Sequence, residues 1–371
     1  MEKKNTSENK ILSIQYMRGV AALLVVFFHF RFMLNNRYEI KNLGDIFAFG
    51  GFGVDLFFMI SGFIICYSTQ RESSVINFIT KRIFRVIPVY WFALLVLLVA
   101  SPAVTFGMDF IKSAFLIQRD YSSGGPFFGY STLVTAWTLS YEFAFYLLFM
   151  VSMLISHRYR SYICSALIIS SVIVSQFIFN GSVSYSGYVT ASADSAAIRL
   201  YSSPMMLEFV IGMLVYEFYN FKWGMIHNKY FKYFIKIAFW ISFAYAVGCY
   251  LSGHGRGHGL QGYGFPSLML FLTFVIHEKA NKLKFNQALS RLGDWSYSIY
   301  ISHFVILSLV PHMDLIFTIF RTSYGASKFV FLTIVTLIIS KVMYDTIEKP
   351  CSSLCRKLLK AIKQKREYAI N

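Results

Sequence analysis

The sequence has few charged residues, and acidic residues are the scarcest of them. Only 14% of its 371 residues are charged, with 18 Asp and Glu against 35 Lys and Arg. Soluble domains carry about 25% charged residues. Because 56% of the residues are hydrophobic and the mean hydropathy is +0.53, the composition excludes an ordinary soluble globular protein and indicates a membrane protein.

Cysteine is also scarce, and no segment has the ligands of a metal site. The five cysteines lie in predicted helices or near the basic carboxy-terminal end, where disulfides are not expected. Cys351 and Cys355 lack the further Cys or His that zinc requires. His254 and His258 in "HGRGHG" lie between glycines, in an outer loop expected to be flexible and to offer no carboxylate partner. We therefore expect no bound metal.

The apolar residues come in runs of roughly 16 to 23, a length that crosses about 30 Å of hydrocarbon as a helix. The runs predict an all-α polytopic membrane protein with about ten transmembrane helices. The spans, each uncertain by several residues, are 12–34, 50–69, 84–101, 133–155, 162–180, 200–219, 231–252, 264–278, 295–310 and 328–347. The longest polar connections, 102–132 and 181–199, are suited to contact with a polar acceptor. We find no internal repeat and no second soluble domain.

The distribution of Lys and Arg predicts the orientation in the membrane. By our count about 24 of the 35 basic residues lie in the segments that an even number of spans places inside, where basic residues are retained. Both termini are therefore predicted to be cytoplasmic. The net charge of +17 is explained by this topology and by attraction to anionic lipid, without a nucleic-acid partner.

The first span, "YMRGVAALLVVFFHF", carries two ionisable residues in an apolar segment. Arg18 and His29 lie on one helix face, about 16 Å apart along the axis. Ionisable groups inside a membrane usually face a protein cavity, so we expect this face to line one. The alternative is that Arg18 extends to the membrane surface and His29 bonds a backbone carbonyl.

The second span begins with "FGGFGVDLFF", which places Asp55 at about the same depth as His29. A carboxylate at this depth is expected to hold the imidazole and raise its basicity, as general-base catalysis requires. The alternative is that Asp55 caps the start of its own helix.

Three further segments bring ionisable groups to the bundle. Glu142 in "AWTLSYEFAFY" and His303 in "WSYSIYISHF" are both expected near mid-membrane, and their convergence on Arg18 and His29 is a hypothesis. In "KRIFRVIP", Arg82 and Arg85 lie on one side of a helix that starts at the cytoplasmic surface. Together with Lys81 they suit a phosphate ligand. Ordinary retention of basic residues inside would also explain this cluster.

Six segments carry a further signal in chain order: "IQYMRGVAALLVVFFHF", "GGFGVDLFFMISGF", "KRIFRVIP", "AWTLSYEFAFY", "SYSIYISHF" and "YDTIEKP". Their order resembles that of the acyltransferase-3 family of integral membrane acyltransferases, and most closely its exopolysaccharide and O-antigen O-acetyltransferase branch. The resemblance covers nearly the whole chain. It departs from the family where two adjacent acids often follow the Trp, because here Glu142 stands alone between Tyr141 and Phe143.

The resemblance implies a ten-helix enzyme that passes an acyl group from cytoplasmic acyl-CoA to a sugar hydroxyl at the outer face. His29 is then the leading catalytic residue, and the two loop arginines match the family's donor-associated pair. The catalytic candidates are His29, Asp55, Glu142 and His303, and the donor-binding candidates are Arg18, Arg82 and Arg85. Glu208 in "LEFVIGM" matches a recurrent family position, to which we assign a structural role.

The resemblance also implies the remaining assignments. Residues 1–350 form the transmembrane acyltransferase domain and 351–371 a basic cytoplasmic tail, in the cytoplasmic (inner) membrane of a bacterium. The donor substrate is acetyl-CoA or another acyl-CoA, and the acceptor is a polysaccharide or lipid-linked glycan. Membrane lipid is a partner, and association into a homo-oligomer or with polysaccharide-assembly proteins stays open.

Two other functions fit parts of the sequence. A proton-coupled transporter of a glycan precursor or small solute would also use a central line of ionisable residues, although it predicts two related halves, which are not found. A structural subunit of a polysaccharide-export complex would use the basic tail for docking. That role leaves His29, Asp55 and Glu142 unexplained.

Overall fold

The structure is a bundle of α-helices. It is a computed structural model that describes residues 10–316 and 324–370. The helices are α1 (Leu12–Phe30), α2 (Phe52–Ser68), α3 (Val75–Ala100), α4 (Met108–Ala114), α5 (Trp137–Ile155), α6 (Arg160–Asn180), α7 (Ala196–Tyr201), α8 (Met206–Asn220), α9 (Lys229–Ser252), α10 (Gly264–Asn281), α11 (Gln287–Ile316), α12 (Ala326–Met343) and α13 (Lys349–Ile370). Within the described residues no strand is formed, apart from an isolated bridge between Ser186 and Gly259, which confirms the all-α class.

Seven helical segments of the described chain are long and apolar enough to cross a membrane. They are Leu12–Met33, Leu43–Ser68, Val75–Ala100, Val134–Ile155, Arg160–Asn180, Lys229–Ser252 and Ala326–Gln364. The other predicted spans, 200–219, 264–278 and 295–310, coincide with α8, α10 and α11. Because α8 has only 15 residues, fewer than the about 20 that a span requires, the number of ten spans stays a prediction.

Helix α3 begins well before the span predicted at residue 84. The Ser74 hydroxyl accepts a hydrogen bond from the Asn77 amide at 3.3 Å and caps the helix. The charged turns that follow are therefore helical although they are too polar to be counted in an apolar run. Arg82 and Arg85 consequently lie on a regular helix with a fixed relative orientation.

Helix α1 lies between α2 and α11, and glycines allow both neighbours to approach its backbone. A Cβ at Gly53 of α2 would lie 2.4 Å from the Ala21 carbonyl oxygen, and one at Gly293 of α11 would lie 2.1 Å from the Gln15 carbonyl oxygen. Side chains on either face of α1 therefore meet residues of α2 or α11 directly.

The start of α1 is fixed by a carboxylate from α10. The Leu12 and Ser13 amides both donate to Glu278 at 2.7 Å, and the Ser13 hydroxyl adds a bond of 2.6 Å. These bonds satisfy amides that a helix N-terminus leaves unpaired, and the negative charge is favourable there. The last turn of α10 is thus bonded to the first turn of α1, and these two helix ends lie at the same depth in the bundle.

Helices α2 and α8 pack through a reciprocal pair of glycines. A Cβ at Gly62 would lie 2.2 Å from the Phe209 carbonyl oxygen, and one at Gly212 would lie 1.9 Å from the Met59 carbonyl oxygen. Real Cβ atoms do not approach a backbone oxygen so closely. The two helices must therefore separate to accept any larger residue.

We expect Gly212→Ala to destabilise the protein markedly, because the new methyl group forces α8 away from α2. The cost of such overpacking is about 1–3 kcal/mol or more. Thermal unfolding in detergent, followed by fluorescence-detected size exclusion, should show a lowered midpoint. Gly248→Ala in α9 is the matched control, since a Cβ there meets nothing within 4 Å. An equal midpoint for the two variants would contradict this packing.

The carboxy-terminal residues continue the bundle as a helix. A π-helical turn, Tyr344–Glu348, connects α12 to α13. Helix α13 packs against α3 and buries Cys355. The segment predicted as a basic tail therefore begins inside a structured helix.

Candidate functional site

Four of the seven predicted site residues, Arg18, Arg82, Arg85 and Glu142, line a cavity between α1, α2, α3, α5 and α11. The cavity holds about 770 Å3 of space not filled by atoms, part of it open to the outside. The polar side chains on its wall are Arg18, Ser61, Arg82, Arg85, Thr138, Glu142, Tyr146, Ser296, Tyr297 and Tyr300. The rest of the wall is apolar, so charged groups there are poorly solvated.

Three arginines face this cavity without a counter-ion in contact. In the described chain, Arg18 and Arg85 make no hydrogen bond or ion pair, and Arg82 donates to the Ser68 hydroxyl at 2.6 Å while its Nε stays unpartnered. Arg18 and Arg85 repel each other. Because burying unpaired charge is costly, the arrangement is that of a site for a multiply charged anion.

The predicted contribution of Lys81 to this cluster is wrong. Lys81 lies on the exposed side of α3 and forms an ion pair with Glu72 at 3.1 Å. Burial raises the pKa of Glu72, but its hydrogen bonds from Lys81 and Asn77 outweigh burial and hold that pKa below its usual value. Lys81 is thus neutralised outside the cavity.

Glu142 lies on the wall of the same cavity, as predicted. Its Oε1 accepts a hydrogen bond of 3.0 Å from the Ser61 hydroxyl and another from the Tyr146 hydroxyl one turn along α5. These two donors fix the carboxyl group in one orientation. Glu142 also attracts Arg82 and Arg18 at longer range.

A second carboxylate, Glu348, was missed in the sequence. It lies in the π-helical turn, is 4% exposed and accepts a hydrogen bond of 2.8 Å from Ser298. Glu348 attracts Arg85 and Arg18. Short π-helical turns frequently occur at functional sites. The sequence carried one signal for Glu348, its place in "YDTIEKP". That signal did not indicate that Glu348 lies near the cavity.

His29 pairs with His303, so the predicted meeting of these two residues is confirmed. His303 Nε2 lies 3.3 Å from His29 Nδ1. His29 Nδ1 also lies 2.9 Å from the Val25 carbonyl oxygen, and His303 Nδ1 lies 3.2 Å from that of Ile299.

The hydrogen-bond network assigns the tautomers of the pair. Each Nδ1 faces a carbonyl oxygen, so we assign the proton of each ring to Nδ1. The single His29 Nδ1–H is then shared between the Val25 carbonyl oxygen at 2.9 Å and His303 Nε2 at 3.3 Å, and the longer contact is the weaker one. His29 Nε2 is then a free base, since no described residue bonds it. An imidazole held through Nδ1 with an open Nε2 is the form that general-base catalysis uses.

The histidine pair lies beyond the cavity rather than on its wall. The expectation that Arg18 and His29 line one cavity is therefore wrong for His29, because the cavity is lined by Arg18 but not by His29. Tyr300 lies between them, since it lines the cavity and its ring centre is 5.8 Å from that of His303. The Tyr300 hydroxyl is fixed by the Thr135 carbonyl and by Thr138, each at 3.0 Å.

The predicted contact between Asp55 and His29 is wrong. Asp55 is fully buried, and its Oδ2 lies 2.7 Å from Nδ1 of His258, while its Oδ1 accepts a bond of 2.9 Å from the Gly259 amide. It does not cap α2 either, whose N-cap position is Gly51. The sequence predicted this contact only because Asp55 and His29 lie at similar depths in the membrane. The Asp55 side chain instead points toward the loop that precedes α10.

The prediction for the "HGRGHG" loop is likewise wrong in part. His258 is buried and has a carboxylate partner, and the loop is tied to residues 186–187 by a β-bridge and a hydrogen bond of 2.8 Å from the Gly187 amide to the His258 carbonyl. His254 is exposed, as predicted. Nothing in the local sequence indicated which of the two histidines would be buried.

Comparisons with known proteins identify a family and two relatives. The model of the acyltransferase-3 family, described as an acyltransferase domain, matches residues 11–345. The exopolysaccharide production protein ExoZ of Rhizobium meliloti (strain 1021) is 28% identical over 331 residues, which are 84% of this chain and 92% of that protein. The acyltransferase MdmB of Streptomyces mycarofaciens is 24% identical over 281 residues, 70% of this chain and 68% of that protein. No solved structure was found to match the chain.

Proposed function

The chain belongs to the acyltransferase-3 family, and we propose that it is a membrane O-acyltransferase that moves an acyl group, in the simplest case acetyl, from cytoplasmic acyl-CoA to a hydroxyl of an exported or cell-surface polysaccharide. The observation that supports this proposal best is the group of three arginines on the cavity wall, none of which contacts a carboxylate among the described residues. Coenzyme A carries phosphates that guanidinium groups bind in a bidentate manner.

In this proposal the arginine end of the bundle faces the cytoplasm. The chain then has ten spans and both termini inside, and it lies in the cytoplasmic membrane of a bacterium. The phosphates of coenzyme A rest on Arg18, Arg82 and Arg85, and the pantetheine arm extends along α1. The axial separation of Arg18 and His29, about 16 Å, suits the reach of that arm.

His29 is the proposed general base. Its Nε2 takes the proton of the sugar hydroxyl, the hydroxyl oxygen attacks the thioester carbonyl, and the bond from carbonyl carbon to sulfur breaks. The CoA thiolate leaves and recovers a proton. His303 holds His29 in the required tautomer. Exclusion of water by the apolar wall limits hydrolysis of the thioester.

The polysaccharide acceptor is supported by the relative ExoZ, whose name refers to exopolysaccharide production and which aligns with 84% of this chain. The long connections 102–132 and 181–199 would then face the outside, where the polysaccharide is. Membrane lipid surrounds the bundle in this arrangement.

The test is release of free CoA from acetyl-CoA by the purified protein in lipid, with and without membrane-extracted glycan. We expect release that depends on the glycan, together with transfer of labelled acetyl to it. Absence of both release and acetyl-CoA binding in the wild type would overturn the proposal and favour the transporter. Release with acetyl-CoA but transfer to no glycan fraction would overturn the acceptor.

A further inference from the structure

The pair formed by Asp55 and His258 is built like a binding site. Because Nδ1 of His258 donates to Asp55 at 2.7 Å, its Nε2 is an acceptor, and no described residue bonds that nitrogen. The Gly259 amide holds the other carboxylate oxygen at 2.9 Å. The His258 side chain keeps 10% of its surface exposed, whereas Asp55 is fully enclosed. Asp55 therefore fixes the orientation of the imidazole through Nδ1, while the Nε2 side of the ring is open to a ligand.

Aromatic rings surround His258. The ring centres of Trp137, Tyr263, Phe127 and Tyr188 lie 5.4, 5.5, 6.0 and 6.1 Å from that of the imidazole. Trp137 and Tyr263 are buried, but Tyr188 is 48% exposed. Aromatic faces beside a small number of polar groups are typical of sites for neutral ligands with apolar and hydroxyl surfaces, such as sugar rings.

A third buried group distinguishes this cluster from a simple loop anchor. Glu208 of α8 is fully buried and lies against Asp55 and the Gly259 amide, although the geometry of these contacts gives its two carboxyl oxygens no well-formed hydrogen bond among the described residues. One carboxylate is enough to hold His258. A second buried carboxyl group whose contacts are poorly formed is costly in a purely structural cluster, whereas such groups are concentrated at functional sites.

The cluster also lies where an acceptor is needed. The ring centre of Trp137, which lies beside His258, is 6.2 Å from that of the cavity-lining Phe58. On the other side, Tyr263 interacts electrostatically with Arg31, which in turn interacts with His29. The cluster therefore adjoins the cavity, and these longer-range interactions place it toward the same ends of α1 and α2 as the proposed base, away from Arg18, Arg82 and Arg85.

We propose that Asp55, His258 and the surrounding aromatic rings form the subsite that binds the carbohydrate acceptor. A sugar ring stacks on the exposed face of Tyr188 and on Phe127, and one of its hydroxyls donates to His258 Nε2. Glu208 lies against Asp55 and helps to hold its position. This assignment rests on the proposed O-acyltransferase function, since it names the place where that reaction receives its second substrate.

The experiment measures acceptor binding separately from acyl transfer. The probe is a labelled set of oligosaccharides released by partial hydrolysis from the extracellular polysaccharide of the source cell. Binding to the full-length protein in nanodiscs is measured without acyl-CoA, and the KM values for oligosaccharide and for acetyl-CoA are then measured by CoA release. The variants are His258→Ala and Tyr188→Ala. The matched controls are His254→Ala in the same loop and Tyr185→Ala, both exposed and without ring contact to His258.

We expect both variants to weaken oligosaccharide binding and raise its KM about tenfold, with the KM for acetyl-CoA unchanged within about twofold. The controls should behave as the wild type. Unchanged oligosaccharide binding in Tyr188→Ala and His258→Ala would overturn the subsite, as would equal losses in the controls. If His258→Ala does not fold, the oligosaccharide binding of the surface variant Tyr188→Ala alone decides whether the subsite is upheld. Oligosaccharide binding that depends on Tyr188, in a wild type that releases no CoA, would support the subsite and overturn the proposed transfer reaction instead.

Discussion

Replacement of His29 by alanine is expected to lower acyl transfer about 1,000-fold, the middle of the range that a positioned general base contributes. His29 Nε2 is the free nitrogen of the histidine pair, and the other catalytic candidates offer no equivalent base. Glu142 is occupied by Ser61 and Tyr146, and His303 by its contacts with His29 and the backbone. Transfer of acetyl to glycan, measured at saturating acetyl-CoA, reports this loss directly.

Acetyl-CoA binding should remain within about twofold of the wild type in the same variant, because the arginines lie elsewhere. His227→Ala is a suitable control, since His227 lies exposed in a short helical turn outside the cavity. Transfer that falls by less than about tenfold would show that His29 is not the base. A parallel loss of acetyl-CoA binding would instead assign His29 to the donor site.

The residues that sequence reasoning placed well are those whose signals are local. Arg18 and His29 stand out because ionisable residues are rare in an apolar helix, and their positions on α1 follow from helix periodicity. Arg82 and Arg85 are three residues apart on α3, so their common direction also follows from the helix alone. All three arginines accordingly line one cavity in the structure.

The residues that were misplaced depend on contacts between distant segments. Asp55 and His258 are separated by 203 positions, and their bond requires the loop before α10 to fold over the start of α2. Equal depth in the membrane allowed a contact between Asp55 and His29 but did not determine which way the carboxylate turned. Glu348 was missed because its burial depends on α12 continuing through a π-helical turn, which no residue pattern indicated.

The three arginines are also the reason that we propose an anionic ligand for the cavity. Glu142, Glu348 and Asp294 attract Arg18 only at a distance, and among the described residues none of the three guanidinium groups on the wall is in contact with a carboxylate. A polyphosphate ligand that enters the cavity would therefore form ion pairs with these arginines. Such pairs are strong where water is largely excluded. In the proposed function, this absence of contact pairing would favour an anionic carrier of the acyl group.

Exchange of Arg18 for alanine is accordingly expected to weaken acetyl-CoA binding about 10- to 100-fold, the loss of one charge-assisted contact of about 1.5–3 kcal/mol. Arg18→Lys should recover only part of the affinity, because an ammonium group does not reproduce the bidentate geometry of guanidinium. Equilibrium binding of acetyl-CoA to the protein in nanodiscs measures both effects. Lys81→Ala is the matched control, since Lys81 is basic and adjoins Arg82 but is paired with Glu72 outside the cavity.

A second ligand shows which contact is lost. Dephospho-CoA lacks the 3′-phosphate, so the wild type should bind it more weakly than CoA. If Arg18 contacts that phosphate, the Arg18→Ala protein should no longer distinguish the two ligands, and if it contacts the diphosphate, the ratio of the two affinities should be unchanged while both fall. Normal affinity for both ligands in Arg18→Ala and Arg18→Lys would show that the arginine has another role and that the donor enters elsewhere. Either pattern of loss would mean that Arg18, an arginine in an apolar helix, is retained because the donor supplies the anion that the protein itself leaves out of contact.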